Sequence, residues 1–273
     1  MESTFFRTEI DGPVAHLIMA KPEKANAMSP DFWEDLPRLT RALAKDTAIR
    51  SMVVSGEGKH FTAGMDLSAF TGLMETFQEE PGRGALVLRE TILRLQASFT
   101  ALEDAPFPVI MAIHGACLGG GIDMITAADI RIAAEDAKFG IEEINIGMAA
   151  DVGTLQRLPK LVGHGVAVEL AMTGRRFGAE EAREMGLISQ VHGTREATVA
   201  AALDLARQIA SRSPLAIAGI KRAALYARDH AVAEGLDQIA TWNAGMLRPE
   251  DLMTAIQARM QKQEATFRDL LAG

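Results

Sequence analysis

Three carboxylates, Asp123, Glu143 and Asp151, follow closely on the triglycine Gly119-Gly120-Gly121, and together they have the makings of a proton-transfer site. The glycines lie between an apolar run and a helix-forming one. Backbone N–H groups there can approach a ligand with no side chain in the way, at the positive end of a helix dipole. A developing oxyanion would be stabilised in such a place. A second glycine turn, Lys59-His-Phe-Thr-Ala-Gly64-Met65-Asp66-Leu67, follows another apolar run and can direct the Met65 N–H outward. Gly-x-Asp is a common turn, so alone it says little. Paired with Gly120 it supplies the two donors that an oxyanion hole needs.

Each carboxylate also has a plainer reading. Asp123 falls in the first turn of the helix after Gly120 and could only complement its dipole. Asp151 precedes Val-Gly-Thr-Leu-Gln-Arg-Leu158 and could cap that helix. Glu143 could be a solvated acid beside Glu142. Against this, Glu143 and Asp151 flank the mostly apolar Ile144-Asn-Ile-Gly-Met-Ala-Ala150. Such surroundings would desolvate a carboxylate and raise its pKa toward the range of general acid–base work. His114, at a strand end, reads as a satisfied core histidine. Cys117 reads as a core filler. No His/Cys/Asp spacing suggests a metal site, and no Walker or Gly-x-Gly-x-x-Gly fingerprint is present.

The elements that must position these groups are legible in outline. Strands are expected at Val14–Met19, Arg50–Ser55, Pro108–His114, Asp129–Ala133 and Ile188–Val191. Ser29-Pro30 opens a helix with Trp33, Leu36 and Leu39 on its apolar face. Leu88, Ile92, Leu95 and Phe99 recur at helical spacing over about Ala85–Leu102, preceded by a weaker stretch in which Pro81-Gly82 suggests a loop. Short helices are expected at Thr154–Leu158, Gly165–Met172 and Ala179–Met185. From about Thr194 onward the pattern is nearly all helical, with one helix starting at Ser213-Pro214. The expected organisation is an α/β core over 1–193 carrying the site and a helical region over 194–273 for packing and oligomerisation.

Composition narrows the partners. With 273 residues, 48% hydrophobic and 23% charged, the chain is an ordinary globular protein. A net charge of −8 argues against nucleic acid. The single cysteine forbids an internal disulfide and fits a reducing compartment. No apolar run approaches a membrane span. A cytoplasmic protein that engages no membrane and needs no metal is the expectation.

Phe61-Thr-Ala-Gly-Met-Asp-Leu67 followed by His114-Gly-Ala-Cys-Leu-Gly-Gly-Gly121 resembles the paired signature of the crotonase (enoyl-CoA hydratase/isomerase) superfamily. The segments Gly121–Arg131 and Phe139–Pro159 are similar to those carrying the acids of its Δ3,5-Δ2,4-dienoyl-CoA isomerase branch. Hydratases of the superfamily typically carry Glu at the position of Asp123 and Gly at that of Asp151, so this chain departs in the isomerase direction. The resemblance implies an α/β fold, a spiral of β-β-α units with a helical C-terminal region. It implies an acyl-CoA thioester substrate, with coenzyme A entering as part of the substrate and no separate cofactor. It implies Met65 and Gly120 as the oxyanion hole, and Thr62, Ala63, Gly64, Met65, Asp66 and Gly120 as substrate-binding residues. Asp123, Glu143 and Asp151 would be catalytic, Glu143 as base at C2 and Asp151 as acid at C6 in a shift of 3,5 double bonds to 2,4. Trimers or dimers of trimers are the implied assembly. A 2-enoyl-CoA hydratase is the alternative enzyme, and a non-catalytic or RNA-binding relative the other class. Lys59, Lys221 and Lys262 are candidates for the CoA phosphates.

Overall fold

A computed structural model describes residues 2–66 and 81–271. In chain order the strands among them are β1 (Phe6–Asp11), β2 (Val14–Met19), β3 (Ser51–Gly56), β4 (Val109–Ile113), β5 (Ala116–Leu118), β6 (Ile130–Ala134), β7 (Lys138–Gly140), β8 (Phe177–Gly178) and β9 (Gln190–His192). They form a six-stranded sheet of order β1-β2-β3-β4-β6-β9 and a three-stranded sheet of order β5-β7-β8. The larger sheet is parallel apart from the β1–β2 hairpin. In the smaller one, β5 and β7 run parallel and β8 antiparallel. The chain enters the small sheet directly after β4 and β6, so consecutive strands turn from one sheet into the other. This is the α/β spiral with a helical C-terminal region.

Strands β2, β3 and β4 are buried along their whole length, as parallel strands covered on both faces must be. Their side chains alternate between two cores. Met52, Val54, Val109, Met111 and Ile113 join the main cluster with Phe32, Leu36 and Leu39 of the helix Pro30–Lys45. Val53, Ile110 and Ala112, with Ile132 of β6, face Ala202, Ala206 and Ala210 of the helix Arg195–Ala210. Alanine at every fourth position lets that helix lie close on the sheet. The first helix beyond the expected 193/194 boundary is therefore a layer of the sheet structure. The helices Val232–Met246 and Pro249–Gln261 differ, since neither buries a residue. Trp242 seats its indole against Gly219, where a Cβ would lie 2.4 Å from Nε1.

The long amphipathic helix spans Pro81–Asp104, so Pro81-Gly82 lie in a helix where the sequence suggested a loop. The rest of that suggested loop, residues 70–80, lies outside the described residues. Strands β1, β5, β7 and β8 escaped the sequence reading; β1 is largely exposed and the others span only two or three residues. No helix among the described residues is long and apolar enough to cross a membrane.

Lys221 corrects one expectation. Its Nζ is buried beneath the helix Pro214–Asp229, donates to Leu102 O (2.8 Å) and Phe107 O (3.0 Å), and pairs with Asp129 Oδ2 at 2.8 Å. Asp129 also accepts from Val109 N–H at 2.8 Å. A lysine with these partners is a fastener between the helical region and the sheet and cannot serve a phosphate. Replacing it with methionine leaves two carbonyls and a largely buried carboxylate without their cation. Lys221→Met is expected to lower unfolding stability by at least ~2 kcal/mol in urea titrations; an unchanged midpoint would refute the fastening role.

Candidate active site

The site begins where the two glycine segments are sewn together. Phe61 N–H donates to His114 O (2.9 Å), Thr62 N–H to Ala116 O (2.9 Å) and Leu118 N–H to Thr62 O (3.2 Å). Thr62 thereby forms a parallel bridge with Cys117 of β5, and the chain around Gly64 lies against Leu118. Gly64 has φ +88°, and a Cβ on it would sit 2.6 Å from Leu118 O, so only glycine fits. Met28 then donates to Gly64 O (2.8 Å) and accepts from Asp66 N–H (3.2 Å). Because alternate residues face one partner in such a ladder, the Met65 N–H points away from Met28. Across from it, Gly120 is the first residue of the helix Gly120–Thr126, where N–H groups have no intrahelical acceptor. A Cβ on Gly120 would lie 3.9 Å from Met65 N. The two amides share one wall.

That wall closes a cavity of about 250 Å³ lined by Ala63, Gly64, Met65, Gly120, all three carboxylates and the apolar Leu118, Ile146, Met148 and Val152. Thr62 and Asp66 do not line it. Thr62 is buried behind the wall, where its hydroxyl donates to Asn26 O (2.7 Å) and accepts from Gly64 N–H (3.1 Å). Arg176 and Glu142, paired at 2.7 Å, line the cavity as well.

The carboxylates are held differently. Asp123 is 1% exposed; Oδ1 accepts from Thr154 N–H at 2.6 Å, while the equally buried Oδ2 has no partner. Burial raises its pKa to about 6 in spite of the Thr154 hydrogen bonding. Glu143 opens the 3-10 turn Glu143–Ile146 and leaves a buried Oε2 without a partner. Burial, reinforced by the charges of Asp123 and Asp151, raises it to about 7. Asp151 is half-buried, and burial raises it too. Three interacting carboxyls titrate as a set and can hold a proton between them near neutrality.

Several sequence readings need correction. Thr154, at the start of the helix Thr154–Arg157, gives its N–H to Asp123, so Asp151 is not that helix's cap. The apolar stretch between Glu143 and Asp151 encloses them only in part: residues 144–147 are exposed, while Ile146 and Met148 line the cavity beside the carboxylates. The desolvation comes from the cavity wall. His114 Nε2 donates to Gly58 O at 3.0 Å and burial lowers its pKa, as befits a structural histidine. Cys117 is wholly buried and its pKa is raised by burial, as for an inert filler. Thr154 is a site residue that sequence reasoning missed, because a backbone donor carries no side-chain signal. Among the described residues no group of three His, Cys, Asp or Glu is placed to hold a metal ion.

The chain matches the enoyl-CoA hydratase/isomerase family model over residues 9–269. It is 45% identical over 253 residues to the mitochondrial Delta(3,5)-Delta(2,4)-dienoyl-CoA isomerase of Mus musculus, covering 92% of this chain and 77% of that one. It is 42% identical over 266 residues to the peroxisomal Delta(3,5)-Delta(2,4)-dienoyl-CoA isomerase of Arabidopsis thaliana, covering 97% and 96%. Among solved structures, an enoyl-CoA hydratase from Bacillus anthracis superposes with a TM-score of 0.88 at 29% identity, covering 97% and 99% of the two chains.

The raised carboxyl of Asp123 has a measurable cost. Its folded-state pKa of about 6 exceeds the ordinary aspartate value of 3.8, so the fold binds its proton more tightly than the unfolded chain. Ionisation therefore destabilises the fold progressively as pH rises from 4 to 6, and fully above that. Asp123→Asn keeps an oxygen for Thr154 N–H and removes the charge. It is expected to stabilise the protein by up to ~3 kcal/mol at pH 8, the gain vanishing near pH 4. Thermal melts at both pH values check this, and a variant less stable than the parent at pH 8 would contradict it.

Proposed function

This chain belongs to the enoyl-CoA hydratase/isomerase family, and on that footing we propose that it shifts the double bonds of a 3,5-dienoyl-CoA to the 2,4 positions. The observation that carries the reading is the meeting of the Met65 and Gly120 amides with Glu143 and Asp151 around one cavity. The relatives named as dienoyl-CoA isomerases, at 42% and 45% identity over nearly the whole chain, support it further.

The thioester oxygen accepts from the Met65 and Gly120 N–H groups. Each such donor contributes ~3 kcal/mol to a developing oxyanion. Stabilising that charge acidifies C2, and ionised Glu143 takes a proton from it. The electrons delocalise over the carbonyl and C2 through C6. Asp151, protonated, delivers a proton to C6, leaving double bonds at C2–C3 and C4–C5. Glu143 has gained one proton and Asp151 has lost one, so the carboxyl set keeps its total and resets by redistribution, which Asp123 influences through its charge. Ala63 and Gly64 line the acyl path, with Thr62 and Asp66 holding their loop behind it. Coenzyme A enters as the substrate's handle and no further cofactor takes part. Hydration would instead need water held at C3, and an acid remote from that carbon adds nothing to it.

A cytoplasmic setting rests on the one unpaired cysteine, Cys117; the mouse and Arabidopsis relatives carry "mitochondrial" and "peroxisomal" in their names. Assembly into trimers or dimers of trimers is supported by the helices after residue 231, where Val232, Leu236, Met253 and Met260 are exposed. Apolar side chains in such numbers mark a contact surface. Light scattering at micromolar concentration should give a multiple of three chain masses, and a monomer would exclude this assembly.

The activity test offers 3,5-dienoyl-CoA and 2-enoyl-CoA in parallel. A conjugated 2,4-diene should accumulate from the first, and water addition to the second with no diene from the first would defeat the proposal. Asp151→Asn is expected to retain C2 proton exchange, read as deuterium uptake from D2O, and to lose isomerisation by at least ~100-fold. Glu143→Gln should lose both. Normal isomerisation by Asp151→Asn would overturn the assignment of the two acids.

A further inference from the structure

The helix Pro81–Asp104 carries a polar stripe. Gln96, Thr100 and Glu103, spaced by four and three residues, lie on one face. All three engage the single segment Asp151–Arg157. Gln96 Nε2 donates to Asp151 O at 2.7 Å. Arg157 Nη2 donates to Thr100 Oγ1 (3.2 Å) and Glu103 Oε2 (2.6 Å). Glu103 also accepts from Arg228 Nη1 at 2.6 Å. Burial alone would raise the Glu103 pKa, but the two arginines outweigh it and hold the carboxyl below its usual value. The anchor thus stays ionised at neutral pH.

Between its two ends the segment is pinned again. Thr154 N–H is bonded to Asp123 Oδ1 at 2.6 Å. Gly153 has φ +136°, and a Cβ there would fall 2.0 Å from Arg157 Nη1, so the guanidinium occupies the space a side chain would need. Asp151 therefore reaches the cavity from a backbone fixed at its own carbonyl, three residues on, and six residues on.

We propose that the Gln96–Thr100–Glu103 face is a positioning device for Asp151, fixing the reach of that acid to the distal carbon of the substrate. The proposal rests on the isomerase reading above. Glu143 sits outside the clamped segment, on a turn closed by its own backbone, where Met148 N–H donates to Glu143 O at 2.9 Å. The clamp should accordingly govern proton delivery at C6 and leave proton removal at C2 alone. A merely structural brace would affect both steps alike, or only stability.

The test uses the full-length chain with 3,5-dienoyl-CoA, following diene absorbance for isomerisation and deuterium uptake at C2 for exchange. Gln96→Met preserves length and removes the donor to Asp151 O. Isomerisation kcat should fall roughly tenfold or more, since a misplacement of about 1 Å can cost on the order of 10²-fold. KM and the C2 exchange rate should stay within about twofold. Arg157→Lys, which keeps the charge beside Glu103 but shortens the reach of the donor that Nη2 offers to both Thr100 and Glu103, should show the same split with smaller amplitude. It serves as the reporter if Gln96→Met does not fold. Exchange and isomerisation falling in step, or both unchanged in an active background, would overturn the positioning role alone. A wild-type protein that forms no 2,4-diene would instead overturn the isomerase reading and this inference with it.

Discussion

The bond from Thr154 N–H to Asp123 Oδ1 is the joint on which the arrangement of acids depends. Asp123 belongs to the helix that begins at Gly120, one of the two amide donors. Thr154 belongs to the segment that begins at Asp151. One charge-assisted hydrogen bond of 2.6 Å therefore ties the wall that carries the Gly120 amide to the acid-bearing segment lining the same cavity. It also explains how a carboxyl that is 1% exposed is tolerated. A buried carboxylate without a donor would not persist in ionised form, whereas one satisfied oxygen keeps the group near its balance point. The unsatisfied Oδ2 is what remains available to interact with the cavity's other protons.

The same economy extends to the neighbours. Burial raises all three carboxyls, and the charge of Asp151 adds to the effect on Asp123 as those of Asp123 and Asp151 do on Glu143, so the set resists full ionisation at neutral pH. A site of this kind holds charge in reserve. The backbone supplies the counter-charge through amides whose partial positive ends are fixed by sheet and helix geometry, and these need no reorganisation when an oxyanion forms.

Much of this was legible in the residues. The glycine turns and the strands before them were readable because Val109–Ile113 and Ser51–Gly56 are apolar runs bounded by turn residues, the mark of fully buried strands. The three carboxylates were readable from type and position. Three things were hidden. The two-residue and three-residue strands β5, β7 and β8 have no periodicity to detect, yet β5 is what aligns Thr62 and brings Met65 to Gly120. The capping role fell to Asp123, distant in sequence, because local spacing cannot reveal a tertiary donor. Lys221 looked like a surface charge because sequence cannot show that its stem passes beneath a helix to reach two carbonyls and Asp129.

Glu103 is shared between Arg157, on the acid-bearing segment, and Arg228, on a helix of the C-terminal region. The C-terminal region is thus tied electrostatically to the acid-bearing segment, although none of its described residues lines the cavity. The helix Pro214–Asp229 carries Arg228 together with Lys221, so cutting it away would strip one guanidinium from a carboxylate balanced for two and the fastener from the sheet in the same stroke.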